Sequence, residues 1–290
     1  MKQLILVAAL IVTLNPWAAP AGEKEVYRIG IAKGVVRDVP QGLLSIAGDP
    51  FRELMKIQTG LNGAVTFDHE WPALARNLND GKLELGVLQG HEFGWARQKY
   101  PDLQALVCSI ARPKPLIAYL LVRHDCNAGD LADLKDGKLV MATALTDHAR
   151  LFLAKRQAEE MGGSVFRSTA TVDTVHEAIQ KVIAEEGDLT VTDHAAWSYF
   201  QKLYPGASKN LKVLAKSEEF PPTVLVYKKG SLDEIALKKL RDGLVTSHET
   251  AKVARMMGLV RIEKFVAVPD GFEETIAACL KSYPAPRTQK

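Results

Sequence analysis

Cysteine is scarce in this chain: Cys108, Cys126 and Cys279 are the only three in 290 residues. None stands in C-x-x-C spacing, so neither a zinc ribbon nor a dithiol redox pair is encoded. One internal disulfide at most can form, and Cys108 with Cys126 is the nearer pair in sequence. Buried free thiols are the other reading. Charge of one sign is also lacking, since 37 Lys and Arg face 34 Asp and Glu, a formal net charge of +3. No basic block interleaved with aromatics is present, which sets nucleic acid aside. Long apolar runs are missing as well. The longest, residues 4–14, is too short for a bilayer, which takes about 20 apolar residues. There is no G-x-S-x-G elbow, no P-loop and no G-x-G-x-x-G after a strand. No fixed period points to a solenoid.

What the chain does carry begins at its first residues. One Lys, an apolar run from Leu4 to Leu14 and the small-residue site Ala19-Pro20-Ala21 predict a secretory signal peptide over residues 1–21. No Cys follows that site, so no lipid anchor is expected at the new N-terminus. The protein is expected to be periplasmic and soluble after cleavage.

Strands and helices then alternate. Val26–Ala32, Ala64–Phe67, Leu85–Leu88, Leu139–Ala142 and Leu189–Thr192 read as short apolar strands, as in sheets covered on both faces. Helices are expected from Asp49, over Trp71–Asn79, Phe93–Lys99, Asp147–Met161 and Ala195–Leu203, and in a C-terminal group: Ser231–Thr246, Glu249–Met257 and Asp270–Lys281. A last strand is expected at Val260–Val266. Three stretches, "LNDGKLELGVL", "LKDGKLVMAT" and "IAEEGDLTVTD", share one punctuation: an acidic residue and a Gly, then an apolar strand. They read as helix-to-strand turns with Gly in the left-handed region. The βαβ order predicts an α/β fold with parallel strands.

Two Pro-led segments differ from the rest. "PLIAYLLVRHD" (Pro115–Asp125) and "PPTVLVYKKG" (Pro221–Gly230) are longer, rich in strand formers and end in basic residues. If both cross between two lobes, residues 22–115 and 225–290 make one lobe and 116–224 the other. In this order, together with "GKLELGVLQGHEFGWA", "AYLLVRHDCNAGDLADLKDGKLVMAT" and "VHEAIQKVIAEEGDLTVTD", the chain resembles the periplasmic solute-binding proteins of ABC importers, in their phosphate, phosphite and phosphonate-binding branch. The resemblance implies a two-lobed type II fold with two crossover strands and a small polar solute between the lobes: phosphate, a phosphonate or a zwitterion. It also implies a membrane permease as partner and a monomer without cofactor or catalytic activity.

The resemblance carries over to particular residues. The oxyanion turn of the family falls on Thr143 and Thr146, where Asp147 departs from the Ser/Thr-Gly pattern. Its helix-start His falls on His176, and its amine-facing acid on Asp193. Packing for His176, and helix capping for Asp193 and Thr146, are the plain alternatives. Tyr119 is expected to wall the site. The pair His91-Glu92 opens like a zinc-protease helix, but position 95 is Trp and the second His is missing, so no metal is expected. The pair follows a strand at its C-terminal end, where open α/β sheets bind ligands, and is expected to touch the solute. A helix start with Glu in the first turn is the alternative. An exported enzyme and a ligand-sensing protein docked on a membrane receptor are the other functional classes left open.

Overall fold

The computed structural model describes residues 26–36, 52–53, 55–162, 166–259 and 261–286. The expected signal peptide and the helix start at Asp49 lie outside the described residues. Helix is described over 55–59, and Gly60 ends it in the left-handed region with φ 72°.

Eleven described strands form two sheets. The first has the order β11-β4-β10-β3-β1-β2 and the second β7-β6-β8-β5-β9. β1 (Tyr27–Ala32) pairs in parallel with β2 (Gly63–His69) and with β3 (Leu85–Leu88). In the second sheet β6 (Lys138–Ala142) pairs in parallel with β7 (Ser168–Val172) and β8 (Leu189–Asp193). Neither sheet is wholly parallel, contrary to the expectation from βαβ order. β10 (Val224–Lys228) runs antiparallel to β3 and to β4 (Leu103–Ala111), and β11 (Ile262–Ala267) runs antiparallel to β4. β5 (Ala118–Arg123) is likewise antiparallel to β8 and to β9 (Leu211–Lys216).

The antiparallel strands come from the chain's two passages between sheets. It leaves the first sheet after β4, enters the second at β5, leaves again after β9 and returns at β10. The crossing segments are therefore 112–117 and 217–223, shorter than the two Pro-led runs and lying before their strands. They travel together: Phe220 N–H donates to Leu116 O at 2.9 Å, and Ser109 N–H to Thr223 O at 2.8 Å.

Helices cover both faces of each sheet, which is why the strands read as apolar on every side; all five residues of β8 are buried. On one face of the first sheet, Leu74 and Leu78 of α2 (Trp71–Asn79) share a core with Phe93 and Ala96 of the next helix. Short α1 (Lys33–Val36) precedes it, and α3 (Gly90–Lys99) follows it. In the second sheet, α4 (Asp147–Glu160), α5 (Val175–Ile183) and α6 (His194–Leu203) pack around Leu120, Val140, Leu189 and Val191. Ala178, Ile179 and Val182 form the buried stripe of α5 at helical spacing. α7 (Pro205–Ser208) is one turn. α8 (Glu234–Val245) and α9 (Ala251–Leu259) return to the first sheet, and α10 (Phe272–Ser282) packs against α3.

The punctuation turns differ in detail from the expectation. Gly81 takes the left-handed region at φ 69°, but in "IAEEGDLTVTD" that role falls to Glu185 at φ 63°. All three cysteines are free. Cys108 is buried in the first sheet while Cys126 lies beyond the far end of β5 in the second, so the two belong to separate cores. Burial raises Cys108 to about 12, and burial followed by the nearby Glu218 charge raises Cys279 to about 11, which keeps both thiols protonated and unreactive.

Candidate ligand-binding site

The carboxyl ends of β1 and β3 in one sheet, and of β6 and β8 in the other, carry the groups that meet between the lobes. After β1 comes Gly34. A Cβ placed there would lie 2.6 Å from Asp147 Oδ2 and 2.6 Å from Glu92 Oε1, with Gln89 Nε2 at 3.3 Å. Glu92 belongs to α3 and the first lobe, whereas Asp147 opens α4 in the second. One carboxylate from each lobe thus converges on a position that has no side chain.

Glu92 is fixed by its own helix start. The Gln89 N–H donates to Glu92 Oε2 at 2.9 Å, the reach-back half of a capping box, and the Gln89 side-chain amide donates to Gly34 O. Capping, the alternative to ligand contact for this Glu, is present. Oε2 holds the helix start and Oε1 faces Gly34. The helix begins at Gly90, three residues before the expected Phe93, which places His91 and Glu92 inside its first turn.

The two glycines of "GHEFG" allow close approach. A Cβ at Gly90 would meet Pro221 Cβ at 2.5 Å and Pro222 O at 2.6 Å; one at Gly94 would meet Ile276 Cγ2 and Leu280 Cδ2, each at 2.9 Å. α3 is therefore pressed against the second crossover on one side and α10 on the other. Gly90→Ala is expected to cost about 1–3 kcal/mol by overpacking, because two of the three nearest atoms are backbone that cannot yield. Urea unfolding at neutral pH measures it.

His91 is buried at 2 % exposure, its ring 4.9 Å from that of Trp95 and 5.8 Å from that of Phe220. Burial first, and the nearby His148 second, push its pKa down to about 3, so it is neutral at physiological pH. Asp193 is buried at the end of β8. Its Oδ1 accepts the Ala196 N–H at 2.8 Å, capping α6, and its Oδ2 accepts from Thr146 Oγ1 at 3.3 Å. Thr146 in turn is the N-cap of α4, with no side-chain cap bond. Glu92, His91, Thr146 and Asp193 are thus brought to the ends of α3, α4 and α6 that face the junction.

The remaining expected residues lie differently. Thr143 is exposed, and its hydroxyl donates to Asp173 O at 3.1 Å. The Arg150 guanidinium braces this turn from behind through Ala142 O, Thr143 O and Leu145 O. The Tyr119 hydroxyl pairs with His194 Nδ1 at 3.1 Å, and His194 Nε2 with Ser198 Oγ at 3.3 Å. The His176 ring packs on Phe200 and Tyr204, at 5.2 and 4.9 Å. Those partners sit seven and eleven residues beyond Asp193, roughly 10–16 Å along the chain at helical rise. Asp147 and Gly34 were not among the expected contacts. Asp147 reads in sequence as a cap or as an acid facing the cleft, whereas Gly34 has no side-chain chemistry and only spatial convergence reveals it. Among the described residues no group of three His, Cys, Asp or Glu is placed to hold a metal ion.

Two α/β lobes joined by two adjacent crossovers, with carboxyl-end residues of both meeting between them, define a cleft-closing solute receptor. The sequence pattern of the family described as "ABC transporter, phosphonate, periplasmic substrate-binding protein" matches residues 35–271, and the chain belongs to that family. Its members are substrate-binding components of ABC transporters in the periplasm, not enzymes. Among the described residues no helix is long and apolar enough to cross a membrane. Solved structures share the fold at low identity. A binding-protein component of an ABC phosphonate transporter from Pseudomonas aeruginosa is 17 % identical with TM-score 0.61, over 90 % of this chain and 86 % of that one. PhnD1 from Prochlorococcus marinus, in complex with methylphosphonate, is 13 % identical with TM-score 0.63, over 89 % and 97 %. XAC2383 from Xanthomonas citri, bound to ATP, is 12 % identical with TM-score 0.64, over 90 % and 97 %. No curated protein matches the chain in sequence.

Proposed function

We propose that this protein is the exported, monomeric solute receptor of a phosphonate-type importer, and that its solute carries a cationic group beside its acidic head. An aminoalkylphosphonate is the simplest such molecule. The observation that carries the reading is the convergence of Glu92 Oε1 and Asp147 Oδ2 on Gly34. Each lobe thus offers a carboxylate oxygen to the same point. A cationic group of the solute placed there is attracted to both lobes at once and draws them together. The acidic head has a natural place at the N-terminus of α4, where first-turn N–H groups and the positive dipole end meet an N-cap whose side chain makes no capping bond.

On this reading Glu92, Asp147 and Asp193 attend the cationic end, Thr146 and Thr143 the acidic end, and His91 and Tyr119 form walls, while His176 supports α6. The lobes are residues 22–115 with 225–290, and 116–224. Cleavage after Ala21 releases the soluble protein, and a membrane permease receives the closed form.

A thermal-shift series on the mature protein tests this with phosphate, methylphosphonate, a two-carbon aminoalkylphosphonate and the matching alkylamine. At about 100 times its Kd a ligand adds about 2.7 kcal/mol, and each kcal/mol moves Tm by about 2–4 °C in a chain of this size. The aminoalkylphosphonate is expected to raise Tm by about 5–10 °C and methylphosphonate by much less. An equal rise with methylphosphonate removes the cationic requirement. A flat response to all four removes the phosphonate class.

A further inference from the structure

Two helices from different lobes are joined by two aromatic rungs. α3 supplies His91 and Trp95, one turn apart. α4 supplies His148, Leu151 and Lys155, which share a face at helical spacing. Between them stand Phe220 of the second crossover and Tyr283, the first residue after α10. The Phe220 ring lies 5.8 Å from that of His91 and 5.4 Å from that of His148. The Tyr283 carbonyl accepts the Trp95 indole N–H at 2.9 Å, and Lys155 Nζ lies 5.0 Å from the centre of the Tyr283 ring. The two central rings are 4.6 Å apart, and both residues are buried. Glu218 completes the second rung: its Oε1 accepts from Lys155 Nζ at 2.6 Å and its Oε2 from the Tyr283 hydroxyl at 2.7 Å.

We infer that Tyr283, Glu218 and Lys155 are positioning residues that set the closure of the lobes. The rungs fix the spacing between α3 and α4, and the first turns of those helices carry Glu92 and Asp147. The crossover and the segment after α10 thereby set how closely the two carboxylates approach, without touching a solute. Charge-assisted bonds of this kind are short and about twice as strong as neutral ones. Burial opposes ionisation of Glu218, but the bonds from Lys155 and Tyr283 outweigh it and hold the carboxyl at about 2. Burial first, then the bond to Glu218, push the Tyr283 phenol well above its ordinary value. Both groups therefore keep these roles across the physiological range. The inference depends on the geometry of the rungs and not on which solute binds.

Small-angle scattering of the ligand-free protein tests it, with Tyr283→Phe, Lys155→Met and the double variant, each also followed by thermal unfolding. Each single variant is expected to shift the open–closed ratio about tenfold toward open, equivalent to about 1.4 kcal/mol. That shift appears as a larger radius of gyration. The double variant is expected to move little further than the larger single one, because both act through Glu218. Unchanged radii with a lowered Tm would overturn the inference, leaving the rungs a purely structural role. Fully additive shifts would overturn the coupling through Glu218. Should Tyr283→Phe fold poorly, Lys155→Met decides alone, since its radius of gyration either grows or does not.

Discussion

Gly34→Ala is expected to weaken solute binding about 10- to 100-fold while lowering the stability of the ligand-free fold by a smaller factor. The added methyl carbon would stand 2.6 Å from carboxylate oxygens of both Asp147 and Glu92. Ordinary contact needs well over 3 Å, so both must give way. Glu92 cannot turn aside cheaply, because its other oxygen holds the Gln89 N–H. Asp147 begins α4, so displacing it displaces the second lobe. The strain, about 1–3 kcal/mol for an added methyl group, has two parts. Opening the lobes relieves the part against Asp147, whereas the part against Glu92, in the same lobe as Gly34, stays in the open form. Affinity scales with the closed fraction, so the Asp147 part appears in Kd and the Glu92 part in unfolding. Titration calorimetry with the aminoalkylphosphonate, beside urea unfolding without it, separates the two effects. Equal losses in both would mean that Gly34 serves the fold of the first lobe and not its closure.

Much of the architecture was legible because local pattern and tertiary role agree. The boundaries of α2 and β3 follow the sequence reading residue for residue, since Pro72 sits where its missing N–H costs little and the apolar run of β3 ends at Gln89. β4, β7 and β9 were not expected. β7, "STATV", buries little and carries no apolar signal. β9, "LKVLAK", is an edge strand whose alternation is diluted by lysines, as edges commonly are. β4 is long and apolar, but no helix or tight turn follows it to mark its end. Strand direction was the larger miss. Order along the chain fixes parallel pairing only while the chain stays in one sheet, and each passage between sheets inserts an antiparallel strand.

The placement of the candidate residues was legible in part, and for a physical reason. Glu92, Thr146 and Asp193 stand at strand-to-helix turns, whose position at the carboxyl ends of a sheet follows from βαβ logic alone. What spacing cannot supply is which side chains from separate lobes meet. Asp147 reads in sequence as a helix-start acid or a cleft-facing one, and its approach to Glu92 across Gly34 is seen only in three dimensions. Phe220 and Tyr283 are invisible for the same reason. One precedes a Pro-Pro pair and the other follows a helix end, with no motif joining them, and their contacts span 63 residues of chain.

Acid is expected to unfold this protein early, and His91 is the reason. Its folded pKa of about 3 lies far below the ordinary 6.5 that it regains on unfolding. Below pH 6.5 the unfolded chain therefore takes up a proton that the folded chain refuses. The stability from keeping His91 neutral is complete above pH 6.5 and falls as pH drops toward 3. The slope is about 1.4 kcal/mol per pH unit. Between pH 6.5 and 4.5, before most carboxylates titrate, the loss comes to about 2 kcal/mol. Trp95 and Phe220 enclose the ring, and neither can stabilise a proton on it as a carboxylate would, while the nearby His148 lowers its pKa further. His91→Phe keeps a ring in the same walls and removes the titration. Urea unfolding of both proteins at pH 7.5, 6.5, 5.5 and 4.5 should show wild type losing stability faster by that slope. Parallel losses would mean that His91 is already charged in the fold. A charged His91 would favour a purely anionic solute, whereas a neutral one adds no positive charge beside the proposed site.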